Sequence, residues 1–173
     1  MSNHVNVCVF DFWNFPTREL WNLLRALSIR SNLPWVCIGD FNDLLQLEDK
    51  KGDNPHLLSL LQGFRNIVED CNLIDISLMG YPFTWKRGKG TPAQVQECLD
   101  RALCTNYWQS HYQNVELLNL TVKTSNHNPI YLVVHKLFFH HKHFRFHFKN
   151  AWTKEPNKQI LDRFQQCSYR FAQ

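Results

Sequence analysis

Gly39-Asp40-Phe41-Asn42 sets a carboxylate and an amide two residues apart, directly after the apolar run Trp35-Val36-Cys37-Ile38. The run is short and reads as a buried strand, with Gly39 marking the turn at its carboxyl end. Polar side chains at that end of a buried strand lie where open sheets collect their ligands. A carboxylate beside an amide can orient a hydrolytic water and hold a scissile phosphate. Two later positions extend the set: Asp100 in Cys98-Leu99-Asp100-Arg101-Ala102-Leu103, and His127 in Thr124-Ser125-Asn126-His127-Asn128-Pro129-Ile130. Each has a plainer reading when taken singly. Asp40 and Asn42 also fit an Asx-type turn, Asp100 the end of a strand, and His127 a satisfied turn histidine.

Taken in order, these stretches and Gly80-Tyr81-Pro82-Phe83-Thr84-Trp85 resemble the endonuclease/exonuclease/phosphatase superfamily. Within it the resemblance is to the endonuclease domain of plant non-LTR (LINE-type) retrotransposons, and it runs from about Phe12 to Phe144-Arg145-Phe146. It implies an α+β fold, a partial four-layer α/β/β/α sandwich forming the C-terminal portion of a DNase I-like domain. That portion is expected over 1–137. Residues 138–173 are expected to be a basic aromatic tail and helix leading towards a reverse transcriptase portion absent from the chain. The implied reaction is Mg²⁺-dependent hydrolysis of a DNA phosphodiester. By resemblance, Asp40 positions or deprotonates the water, and Asn42 holds the phosphate or the attacking oxygen. His127 contacts a non-bridging oxygen, with Asp100 fixing its ring. Trp85, Lys86 and Arg87 are expected to meet the DNA. Trp13 occupies the place of a family tyrosine that approaches the phosphate, and an indole has a donor N–H but no ionisable hydroxyl.

The departures set expectations too. Asn126 stands where the family has an aspartate, and an amide is a poorer ligand for a hard cation than a carboxylate. Cys98 replaces a polar residue before the Leu-Asp pair. The family's upstream asparagine, glutamate and histidine have no counterpart, so the chain is expected to be truncated and impaired or inactive by itself. A non-catalytic nucleic-acid-binding remnant and a phosphatase of the same superfamily are the alternatives.

The elements that must carry these residues follow from periodicity. Val5 to Phe12 is β-prone, and Leu20, Trp21, Leu23, Leu24 and Leu27 recur at helical spacing, giving strand, helix, strand. Leu44 to Asn54 is polar and reads as a surface loop. Leu57, Leu60, Leu61, Phe64, Ile67, Val68 and Cys71 mark a helix that Asn72 ends. Leu73 to Leu78 alternates towards a strand. Phe83 to Lys86 enters a basic hairpin tip, Arg87-Gly88-Lys89-Gly90, from which Val95 to Leu103 returns. Thr105 caps a short helix. Val115 to Val122 and Ile130 to Val134 are expected to pair.

Composition sets wider bounds. The chain has 173 residues, one domain's length. Net charge of +4 permits nucleic-acid contact without demanding it. Its six cysteines form no C-x-x-C pair and suit buried thiols in a reducing compartment. The histidines of the tail, His140, His141, His143 and His147, lack the partner pattern of a zinc site. No stretch reaches membrane length, so an intracellular, non-secreted protein is expected.

Overall fold

The run Trp35 to Ile38 is apolar at every position because both faces of its strand are covered. Trp35 and Cys37 join a core with Leu20, Leu23, Leu24, Phe64, Ile67 and Leu103. Val36 faces the other way, among Ala102, Cys104, Trp108 and Leu117, with Ile38 packed against the same group. Side chains alternate along a strand, so one buried between two layers shows no polar alternation. The structure is a computed structural model and describes residues 6–10, 17–30, 34–53, 55–122 and 125–135.

In chain order the elements are β1 (Asn6–Phe10), α1 (Thr17–Arg30), β2 (Trp35–Asp40), β3 (Lys50–Lys51), α2 (Leu58–Asp70), β4 (Leu73–Asp75) and β5 (Leu78–Met79). There follow β6 (Trp85–Arg87), β7 (Val95–Glu97), β8 (Asp100–Thr105), α3 (Asn106–His111), β9 (Asn114–Asn119) and β10 (Ile130–His135). The main sheet has the order β1-β2-β8-β4, a second β10-β9-β5, and a small third β3-β7-β6. β1 lies parallel to β2, as a strand–helix–strand unit requires. β8 runs antiparallel to both β2 and β4. Helices α1 and α2 supply the core on one face of the main sheet, and the second sheet supplies the core on the other. The described layers are therefore helix, sheet and sheet, an α+β arrangement.

Packing explains why α2 tolerates a glycine in its middle. A Cβ on Gly63 would run into the Trp21 ring of α1. Cys71 closes α2, and Asn72 takes a positive φ of 49°, the left-handed turn that asparagine accepts. Thr105 caps α3, its hydroxyl accepting from the Trp108 N–H.

Three segments differ from the periodicity reading. Val95 to Leu103 is not one returning strand but two, in different sheets. The chain leaves the small sheet after Glu97 and enters the main sheet at Asp100. Cys98 donates its N–H to the Asp49 carbonyl, and the Leu99 carbonyl accepts from Phe41. Leu73 to Leu78 is likewise shared between two sheets, as β4 and β5. The loop after β2 is not wholly solvated: Asp49 is buried, and Lys50 and Lys51 pair with β7. Polarity suggested exposure there, but the Asp49 carboxylate is neutralised by a distant arginine. The expected tail of 138–173 and Trp13 lie outside the described residues.

Candidate active site

On the face of the main sheet turned towards the second sheet, two rows of side chains run side by side. Val36, Ile38 and Asp40 form the β2 row, and Cys104, Ala102 and Asp100 lie opposite them in register. The apolar rows thus end in a pair of carboxylates on directly paired positions, which brings side chains close on one face. Asp40 is 7% exposed. Its Oδ1 accepts the Asn42 N–H at 2.8 Å, so the Asx-type turn and the polar site are the same structure. Asn42 sits at φ 54° with an exposed side chain.

His127 comes from the connection between β9 and β10. Its Nδ1 lies 3.3 Å from Asp100 Oδ2 and 3.9 Å from Asp40 Oδ2. A carboxylate only accepts, so Nδ1 carries the hydrogen that faces Asp100. The Asp100 hydrogen bond raises the imidazole pKa above its ordinary value. Burial acts against this, and the charges of Asp100 and Asp40 add to it.

The turn bearing His127 is fastened to the hairpin that begins at Thr84. Asn128 donates its N–H to the Thr84 carbonyl at 2.7 Å, and Lys86 donates to the Asn126 carbonyl at 2.9 Å. Trp85 forms a bridge with His127 and lies edge-on to its ring at 6.4 Å. Arg87 sits 5.9 Å above the Trp85 ring. The ring and the two cations do not share one role. Arg87 is exposed, whereas Lys86 donates its ammonium to the Val122 carbonyl at 3.0 Å, which ties it to the framework. Asn126 is exposed.

Asp40, Asp100 and His127 offer ligand atoms all within 4.8 Å of one another, close enough to hold a metal ion. The two carboxylates are hard anionic donors of the kind a divalent cation such as Mg²⁺ takes, whereas imidazole suits transition metals better. The donor set therefore fits a divalent cation through its oxygens.

Several residues that shape this site were not singled out by sequence. Arg101 is buried and reaches away from the carboxylate face, where its partner across the strands is Gly39, which has no side chain to compete for the space. It donates to Asp49, to Asp75 at 2.7 Å and to the Cys98 carbonyl at 3.1 Å. Asp49 also accepts the N–H groups of Leu45 and Gln46 at 3.0 Å each. Asp43, immediately after Asn42, is 1% exposed and pairs with His56 at 2.9 Å. Burial pushes the Asp43 carboxyl up, against the Leu44 N–H and His56. The arginine–aspartate contacts span 26 and 52 residues, so local spacing carried no sign of them. Thr84 and Asn128 lay inside quoted motifs, but nothing local in the sequence marks their side chains as buried.

No protein-family model and no curated protein matches this chain. Among solved structures it is similar to the "Endonuclease domain of TRAS1, a telomere-specific non-LTR retrotransposon", with a TM-score of 0.54 and 14% identity. The match covers 73% of this chain and 54% of that one, so the chain spans about half the length of the structure it resembles. At this identity the likeness is one of fold. The α+β, DNase I-like architecture expected from the motifs is the one the described residues have, and they form three of the four layers expected.

Proposed function

We propose that the chain carries an impaired phosphodiester-hydrolysing site for DNA, of the non-LTR retrotransposon endonuclease kind. The observation that supports this most is the convergence of Asp40, Asp100 and His127 from two strands and a turn onto one edge of the sheets. In this reading Asp100 accepts from Nδ1 of the protonated His127 ring, and the Nε2–H on the far side donates to a phosphate oxygen. Asp40 accepts the proton of the attacking water, and Asn42 steadies the phosphate. A divalent cation, Mg²⁺ in this reading, supplies charge neutralisation on the phosphate oxygens. Trp85 and Arg87 offer a stacking face and a cation to the nucleic acid. Asn126, an amide where the resembling nucleases have a carboxylate, lowers the rate. A reverse transcriptase portion of the same element is the partner this reading implies.

The test is conversion of supercoiled plasmid to nicked circles by purified, folded chain with Mg²⁺ or Mn²⁺. Slow nicking that His127→Ala and Asp40→Ala each abolish is expected. A folded chain that never nicks, yet binds DNA in a salt-dependent way indifferent to both substitutions, would replace hydrolysis with the binding-remnant reading.

A further inference from the structure

Thr84 is fully buried although it carries a hydroxyl. That hydroxyl accepts two backbone donors, the Leu99 N–H at 3.0 Å and the Asp100 N–H at 2.9 Å. Its own N–H donates to the Glu97 carbonyl at 3.0 Å, and its carbonyl accepts the Asn128 N–H. One residue is thus bonded on one side to the backbone of Asp100 and on the other to the backbone next to His127. The place is where the chain crosses from the small sheet to the main one, so the N–H groups of Leu99 and Asp100 meet a hydroxyl rather than a strand carbonyl. Asn128 reinforces the same joint: its side chain donates to the Phe83 carbonyl at 3.2 Å and accepts the Val122 N–H at 3.4 Å.

We propose that Thr84 is the positioning residue of the Asp100–His127 pair, a buried hydroxyl that sets carboxylate and imidazole at hydrogen-bonding distance. It touches no substrate and acts through the backbones of both partners. The inference rests on reading that pair as the site, but its consequence can be measured without any DNA. Bonded to a carboxylate, neutral His127 must keep its hydrogen on Nδ1, which sets a tautomer visible in its ring ¹⁵N resonances.

The experiment compares His127 ring ¹⁵N spectra, above the pH where the ring titrates, for wild type and variants. Wild type is expected in the Nδ1–H form. Thr84→Val keeps the shape, removes the acceptor and shifts the ring to mixed tautomers, while Thr84→Ser retains the wild-type signature. Ile67→Ala, a cavity in the opposite core, destabilises the protein but leaves the signature intact. Should Thr84→Val not fold, Thr84→Cys takes its place, since sulfur is a weak acceptor. The proposal is overturned if the folded acceptor-less variant keeps the Nδ1–H form, if Thr84→Ser loses it, or if Ile67→Ala loses it equally. Lack of plasmid nicking would overturn hydrolysis and leave this positioning role standing, so the two failures are distinguishable.

Discussion

Arg101→Met removes a cation whose side chain is 5% exposed and leaves its partners in place. Asp49 has a side chain 10% exposed and Asp75 one 32% exposed, so the two carboxylates lose unequal support. Breaking a buried pair from one side costs about 3–5 kcal/mol. Asp49 retains the Leu45 and Gln46 N–H groups, and Asp75 is partly reached by water, which places the loss near the lower end, about 3 kcal/mol. Against a typical stability of about 5–15 kcal/mol the variant still folds. With a urea slope of about 1–3 kcal/mol/M the midpoint falls by about 1–3 M. The pH dependence is a second signature. Burial holds the Asp75 carboxyl above its ordinary pKa in the wild type, with Arg101 pulling it down. A raised folded pKa means the native state keeps the proton longer, so this group favours folding below the unfolded pKa and opposes it as pH rises through the folded one. Without Arg101 that opposition grows. The gap between variant and wild type is therefore widest at neutral pH and narrows on acidification. Adding Asp75→Asn to Arg101→Met recovers part of the loss. Urea titrations followed by tryptophan fluorescence at neutral and acid pH measure all three. A neutral-pH loss within about 0.5 kcal/mol, the range of an ordinary surface change, or a gap independent of pH, refutes the reasoning.

His127 titrates in the opposite sense to a paired acid. Its folded pKa is raised, so its stabilisation is complete below the unfolded value, about 6.5, and disappears as pH rises through the folded one. The midpoint of urea unfolding therefore declines across that window in wild type, and Asp100→Asn flattens the decline. Asn126→Asp restores a charge beside the site. Since a hydrogen bond to a charged group is worth about 1.5–3 kcal/mol, nicking rises at least about tenfold; an unchanged rate shows that Asn126 does not limit it. At Gly63, alanine gains about 1 kcal/mol of helix propensity but crowds the Trp21 ring, and overpacking costs about 1–3 kcal/mol. Gly63→Ala is thus neutral to destabilising in thermal melts, and a clear stabilisation contradicts the packing described.

What was legible in the sequence is what local pattern encodes. The helical recurrence from Leu57 to Cys71, the Thr105 cap and the polar pair after β2 all rest on neighbours within a few residues. The polar pair also shows that two readings need not compete, since Asp40 closes an Asx-type turn with one oxygen and faces His127 with the other. The single strand expected from Val95 to Leu103 failed because nothing local marks a change of sheet. The break is made by Asp49, Phe41 and Thr84, all distant in sequence from the residues they bond. The buried Asp49 was hidden for the same reason: charge looks solvated until its counter-charge, here Arg101, is placed beside it.

The register of β2 against β8 ties assembly to chemistry. The same alternation that sends Val36, Ile38, Ala102 and Cys104 between the sheets delivers Asp40 and Asp100 to the edge. Sliding one strand by a single residue turns its whole row over, and its carboxylate would then lie on the helix side, away from its partner. A chain that has collapsed with mispaired strands therefore has no half-working site, because its carboxylates no longer face one another. The carboxylate pair serves as an alignment mark for folding, and a refolded sample in which His127 faces both Asp40 and Asp100 has its central strands in step.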